Sequence, residues 1–294
     1  MKTCTQTDVL GQAYAPEEVI DILADAGYDA IDWSFFEMIN GQGIWCENGW
    51  KERAHEVRAK ADSRGIPIVQ AHAPFPSGYD DPERDTVVFD RIVRSMEVAS
   101  ILGVKNIIVH PITCMGYRTN RKTAWEVNKD FYSQLLPYCE KFDICVCTEN
   151  MWGRSPVTKN IESYFCGEPD DFCEFVDLMD SPRIKGCLDL GHSALVGIDP
   201  AYFIRALGPE RLHALHVHDV DCFSDLHTMP FTQKLDWGSI CQALGESGYK
   251  GYLTLEADNF IKKMPRELWH DAVKLMASTA RYLANLVEAN RLDK

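Results

Sequence analysis

The sequence predicts an α/β protein of the single (β/α)8 TIM barrel class. Three observations carry this expectation. Short apolar runs alternate with helical patterns along all 294 residues, and strands that alternate with helices imply a parallel sheet. Most of these runs end in a His, Asp or Glu, spaced by about one strand–helix unit. No linker, low-complexity run or block of like charge interrupts the chain, so one domain over residues 1–294 is expected.

Taken in order, a first strand is expected around Lys2–Thr7, where the pattern is weakest. Pro16–Ala26 opens on Pro-Glu-Glu, a helix-start signal. The apolar runs Tyr28–Trp33, Ile66–His72, Asn106–His110, Asp143–Glu149, Ile184–Asp189, Leu212–His218 and Gly251–Glu256 read as buried strands, several rich in Val and Ile and bounded by Gly or Pro. Glu83–Leu102, Thr123–Lys141, Asp171–Met179 and Arg266–Val287 carry helical spacing. Gly65 and Gly248 stand where a glycine is expected just past a helix end. Eight such units close a barrel. No GxGxxG follows the first strand, which removes one reason to choose an open doubly wound sheet. The aromatic-rich segment Phe35–Trp50 reads either as a lid or as a subunit contact.

Composition narrows the function classes. With 44 acids against 30 bases the formal charge is -14, which disfavours a nucleic-acid partner. The basic residues expected near the mouth are Arg118, Arg121, Lys122 and Arg154. No run of 18 apolar residues exists, so no membrane partner is expected. The N-terminus carries no apolar targeting segment, and a cytoplasmic protein with reduced thiols at its 11 cysteines is expected.

His72, His110, Glu149, Asp189, His218 and Glu256 sit at or beside successive strand ends, 38, 39, 40, 29 and 38 residues apart. In a barrel these ends converge on one mouth, the face where such enzymes do chemistry. Carboxylates gathered in a concave site repel and are costly to bury, and a divalent cation relieves both problems. Mixed imidazole and carboxylate ligands suit Zn, Mn, Co or Fe, with Mg possible. Asp189–His192 and Asp225–His227 add two further acid–imidazole pairs. Trp33 and Trp152, at strand exits, are candidates to wall the pocket.

At these residues the chain resembles the xylose-isomerase-like barrel superfamily, through Ala71-His72-Ala73-Pro74, Val109-His110-Pro111, Thr148-Glu149-Asn150, Cys187-Leu188-Asp189-Leu190-Gly191-His192, His216-Val217-His218-Asp219 and Leu255-Glu256-Ala257. The group holds sugar and sugar-phosphate isomerases and epimerases, and endonuclease IV. Resemblance to its ketose 3-epimerase branch implies one divalent ion held by Glu149, Asp189, His218 and Glu256. The acid three residues after the ligand selects His218 with Asp221, and His216, expected one layer deeper, is the fallback. Resemblance to endonuclease IV implies possible second-metal ligands His72, His110, His192, Asp225 and His227. Two epimerase features are missing: no Arg lies in Asp219–Ser224, and no second Glu lies in Asn150–Pro156.

The expected function is therefore a metal-dependent sugar or sugar-phosphate isomerase or epimerase acting through a metal-bound enediolate. Glu149 and Glu256 are its catalytic acid and base. His72, His110, His192, Trp152 and His227 are expected to bind a small carbohydrate substrate. The alternatives are a metal-dependent lyase or dehydratase on inositol-like or glycoside substrates, and a zinc phosphodiesterase of the endonuclease IV type. A homo-oligomer is compatible with either reading.

Overall fold

Among the described residues ten strands form in chain order: β1 Thr3–Gln6, β2 Ala30–Ser34, β3 Ile68–His72, β4 Asn106–Ile108, β5 Cys145–Glu149, β6 Trp152–Arg154, β7 Ile161–Ser163, β8 Ile184–Asp189, β9 Leu212–His216 and β10 Leu253–Leu255. The structure, a computed structural model, describes residues 1–114 and 120–292, so Arg118 lies outside the described residues. Eight of the strands make one parallel sheet in the order β10-β1-β2-β3-β4-β5-β8-β9. Val217 bridges to Leu255, with Val217 N donating to Thr254 O at 2.9 Å and Glu256 N donating to Val217 O at 3.1 Å. Those bonds bring β9 back against β10 and draw the sheet into a barrel.

The helices follow from local chemistry. Asp81 accepts from the backbone N–H of Glu83 and Arg84 at the start of Pro82–Leu102, and Pro82 occupies a first-turn position where no amide is needed. That helix ends at Gly103 with φ +93, a left-handed conformation that glycine adopts without strain. Pro16–Ala26 matches its expected bounds. Arg121–Phe142 and Pro169–Met179 begin two residues before their expected starts, because first turns carry few apolar residues. No described helix is long and apolar enough to cross a membrane.

Four strand expectations overshoot at their C-terminal ends, the first being Lys2–Thr7, which closes at Gln6. Asn106–His110 closes as a strand at Ile108, Leu212–His218 at His216, and Gly251–Glu256 at Leu255. In these last three the final residues leave the ladder and turn into the mouth. The β6–β7 hairpin, an antiparallel excursion after β5, has no signature in the hydrophobic pattern, because its short strands are only partly buried. Trp50–Arg64 was marked in sequence only by its terminal Gly65, since charged residues dominate its surface and only Ala54, Val57 and Ala61 are buried.

Candidate active site

The C-terminal strand ends gather a cavity of about 430 Å³, lined among others by Gln6, Phe36, His110, Glu149, Trp152, His192, Asp225, His227, Glu256 and Asp258. That volume lies within the usual range for small-molecule sites. Lys262 is the one Lys or Arg among its described lining residues.

Strand register decides which side chains share a layer. Asp189, the last residue of β8, pairs in register with His216, the last of β9. His216 Nδ1 therefore faces three carboxylates: Glu256 Oε2 at 3.1 Å, Glu149 Oε1 at 3.3 Å and Asp189 Oδ2 at 3.9 Å. Candidate ligand atoms of Glu149, Asp189, His216 and Glu256 all lie within 4.8 Å of one another. Glu149, Asp189 and Glu256 are thus grouped with His216, while His218 groups with Asp189, His227 and Glu256. Two residues on, His218 stands one layer nearer the mouth, its Nε2 3.0 Å from both Asp189 oxygens.

The acid three residues beyond the facing histidine is accordingly Asp219, not Asp221. Asp219 is fully buried and accepts from the backbone of Val220, Gln233 and Leu235 and from Trp237 Nε1. It pins the loop that follows β9. Asp221 is nearly at the surface and accepts from the Phe223 and Ser224 amides.

The other predicted residues divide by contact. His110 Nε2 lies 3.0 Å from Glu149 Oε2. His72 is held by Asp32, with Nδ1 3.0 Å from Asp32 Oδ1, and stacks on His216 at 4.4 Å between centroids. His192, Asp225 and His227 form a second compact group. His192 Nε2 is 3.5 Å and His227 Nε2 3.1 Å from Asp225 Oδ2. The Nδ1 atoms of both histidines face carbonyls, Asn150 O at 2.9 Å and Glu256 O at 3.0 Å, so each Nδ1–H donates there and presents Nε2 to Asp225. Of the five residues considered for a second metal, these three come together; His72 groups with Asp32 and His216, and His110 sits on Glu149. His227 takes φ +41, left-handed backbone that a histidine adopts at some cost.

Trp152 reaches the cavity, 6.4 Å from the His192 ring. Trp33 is buried instead, packed edge-on to Trp45 at 5.9 Å. Arg154 lies at the surface and donates to Lys159 O and Phe223 O, and Arg121 pairs with Asp171. Lys122 lies 3.8 Å from Glu126 on its own helix.

Sequence reasoning passed over four supporting residues. Gln6 Nε2 donates to Glu256 Oε1 at 3.0 Å. Asn150 clamps Asp189 through both main-chain groups, donating to its carbonyl at 2.9 Å and accepting from its amide at 2.7 Å. Asp32 orients His72, and buried Asp258 accepts from Val9 N. Asn150 directly follows a predicted ligand and Gln6 ends a strand, which were the available signals. Gly191 was present in the quoted Asp189–His192 segment; a Cβ there would collide with the His218 ring, so the glycine makes room for it.

The charges are strongly coupled. Burial alone would push the Glu149 carboxyl up, but the His216 and His110 imidazoles outweigh it and hold it well below the usual carboxylate range. The same contest, decided by His216 and His227, lowers Glu256. For the histidines, burial opposes the charged form and the neighbouring acids win. His216 is raised by Glu256 and Glu149, and His227 is raised to about 10 by Glu256 and Asp225. Burial pushes Asp258 up to about 7.

Whether a divalent ion fits is answered by unsatisfied atoms. Both ring nitrogens of His216, Glu149 Oε2 and Asp225 Oδ1 are buried without a hydrogen bond of acceptable geometry, short ion-pair distances notwithstanding. Buried polar atoms are rarely left so, and here they converge with other acids and imidazoles. The donor set of mixed carboxylate oxygen and imidazole nitrogen suits Mn, Zn, Co or Mg.

Comparison with known proteins places these features. The sequence profile described as xylose isomerase-like TIM barrel matches residues 20–279. Fructoselysine 3-epimerase of Escherichia coli O157:H7 is 25% identical over 219 residues, covering 72% of this chain and 75% of that protein. A D-tagatose 3-epimerase-like protein superposes with a TM-score of 0.75 at 19% identity, over 98% of this chain and 99% of the other. The IOLI protein, solved with a bound zinc atom, superposes with a TM-score of 0.74 at 15% identity, over 99% of each chain.

Proposed function

Because this chain belongs to the xylose isomerase-like TIM barrel family, we propose that it is a divalent-metal-dependent sugar epimerase or isomerase. The observation that carries this reading is the convergence of Glu149, Asp189 and Glu256 on His216 Nδ1 at the barrel mouth. Epimerases among the relatives support it.

Glu149, Asp189, His216 and Glu256 would hold the ion. When bound, it would polarise a substrate carbonyl and acidify the neighbouring C–H. The chain's own groups supply the proton traffic. Glu149 and Glu256 come from strand ends well apart in the barrel order, β5 and β10. One, ionised, removes the proton α to the carbonyl, and the other, having taken a proton from solvent, delivers that proton to the enediolate. Delivery to the opposite face of the same carbon inverts it, and delivery to the adjacent carbon, with the hydroxyl proton passing between the two enediolate oxygens, isomerises. Gln6 fixes the Glu256 carboxylate by its hydrogen bond. His110, His192 and His227, which line the cavity, are the donors and acceptors for sugar hydroxyls, Trp152 walls the pocket, and fully buried His72 backs His216 from behind the lining. The direct test is incorporation of solvent deuterium into a panel of ketoses with Mn, Co, Zn or Mg. Exchange at a carbon next to the carbonyl is expected, and none across the panel would overturn the reading.

Metal affinity is expected to depend on pH with a definite sign. Burial disfavours the charged His216 ring, but Glu256 and Glu149 outweigh it and raise the group, which favours the protonated ring in the metal-free protein, and an ion would displace that proton on binding. Glu149 and Glu256 stay ionised as His216 titrates and contribute no slope. Affinity should thus fall as pH falls through the raised His216 range, by up to about tenfold per pH unit for each proton displaced. Titration calorimetry in buffers of different ionisation enthalpy reads the protons released. A pH-independent affinity with no proton release would refute this charge state for His216.

A second reading, a zinc phosphodiesterase, is favoured by one observation, the His192–Asp225–His227 group. Metal content separates the two: about one ion per chain fits the epimerase, while two or three zinc ions call for a phosphodiester cleavage assay. The formal charge of -14 argues against a polyanionic substrate.

A further inference from the structure

A second cavity, of about 780 Å³, adjoins the first. Asp8 and Phe36 line both. It lies between the segment after β1 and the segment after β2, walled by Tyr14, Trp33, Phe36 and Trp45 with Asp8, Glu37 and Gln42 at its polar positions. Phe36 is the hinge of this geometry: its ring lies 5.4 Å from His72 and 6.3 Å from His110 on the catalytic side, while its residue faces the second space as well.

The wall is built rather than loose. Trp45 is 1% exposed and packs edge-on against Trp33 at 5.9 Å and Phe35 at 6.0 Å. Within the chain, Phe35 and Trp45 of the segment Phe35–Trp50 are packed into this side wall. Gly43, at φ +85, lets the Glu37 carboxylate lie over its backbone, where a Cβ would collide. A concavity of this size against a catalytic pocket, kept open by buried aromatics, has room for more than a free sugar in the first cavity.

Charge narrows the occupant. The Arg53 guanidinium in this cavity is already held by both oxygens of Glu17, with Glu56 at 3.0 Å. Among the described residues Glu37 has no hydrogen bond or ion pair. Asp8 has only Lys262, at 3.9 Å, and the Gln12 amide. Desolvation, with Asp8 and Glu47 nearby, pushes the Glu37 carboxyl up from its usual value. The Tyr14 ring is already covered by the Arg266 guanidinium at 4.2 Å, so the charge preference rests on Glu37 and Asp8, whose under-compensated carboxylates favour a cation and reject an anion.

We propose that the second cavity is a subsite for a group appended to the sugar, so that the substrate class is a sugar conjugate whose arm ends in a cation. The proposal rests on the epimerase reading for its sugar end, and on the cavity alone for its arm. Phe36 would mark the junction, with the sugar among the histidines and the arm running along Tyr14 and Trp45 toward Glu37.

The test uses the metal-loaded full chain and titration calorimetry. The probes are fructose and fructose derivatives with a six-carbon arm at C1 or at C6, ending in an ammonium, a methyl or a carboxylate. In at least one series the ammonium-armed probe is expected to bind ten-fold or more tighter than fructose and than its carboxylate counterpart. Gln42→Trp, at an exposed position that fills the cavity, should erase the advantage of the arm. Glu37→Gln should erase the preference for ammonium over methyl. Unchanged metal content and circular dichroism guard against misfolding. Equal affinity of armed and free sugars, no binding of the ammonium-armed probes, or a preference that survives Gln42→Trp would overturn the proposal. Deuterium exchange on the same samples is read separately. Selective binding without exchange overturns the epimerase reading and leaves the subsite standing, while exchange without selectivity does the reverse.

Discussion

His216→Ala is expected to strip the protein of its tightly held divalent ion, with metal affinity falling at least about 100-fold, beyond the roughly 10–100-fold typical of groups that only support a ligand. His218→Ala is expected to stay within that smaller range. The difference follows from placement. His216 Nδ1 faces three carboxylates within 3.9 Å, whereas His218 Nε2 has Asp189 at 3.0 Å and Asp225 at 4.0 Å and groups more loosely with Glu256 and His227. Removing His216 also leaves those carboxylates without the imidazole that holds Glu149 and Glu256 in their charged form. His216→Asn, which keeps a polar atom near the Nδ1 position, should recover part of the affinity. Elemental analysis after dialysis, with thermal melts as the fold control, reads the result. A larger loss in His218→Ala than in His216→Ala would return the ligand role to His218.

Glu256→Gln should retain the fold and slow solvent exchange at the substrate carbon by about 10²–10⁴-fold, the usual contribution of a positioned acid or base. The amide keeps an oxygen for the ion and for Gln6 but cannot carry a proton between substrate and solvent. Glu149→Gln should fall by a similar factor, because each carboxylate serves one half of the transfer. Metal content must be checked in both variants, since each glutamate is also placed as a ligand. Activity at the parental level in a metal-loaded Glu256→Gln protein would remove Glu256 from the mechanism.

The barrel and the ring of strand-end acids and imidazoles were legible in the sequence because both are local in origin. Buried strands announce themselves by short Val- and Ile-rich runs, and helices by their start signals and terminal glycines. A polar residue at the end of such a run lies near the mouth, and spacing alone brings His72, Glu149, Asp189 and Glu256 to that end of the barrel. The hairpin after β5 left no such trace, because its strands are three residues each and half exposed.

The identity of the histidine facing the acids was a tertiary decision. His216 and His218 project to the same face of one strand, and sequence offers an acid three residues beyond each, Asp219 and Asp221. Only the stagger between β8 and β9, which sets Asp189 beside His216, chooses the layer. The same holds for the second cavity. Trp33, Phe36 and Trp45 read as scattered aromatics, and only the packing of the segment after β2 against the segment after β1 turns them into a wall. What a strand ends in is written locally, but which neighbour it stands beside depends on register and loop packing, and these are settled by contacts between residues far apart in the chain.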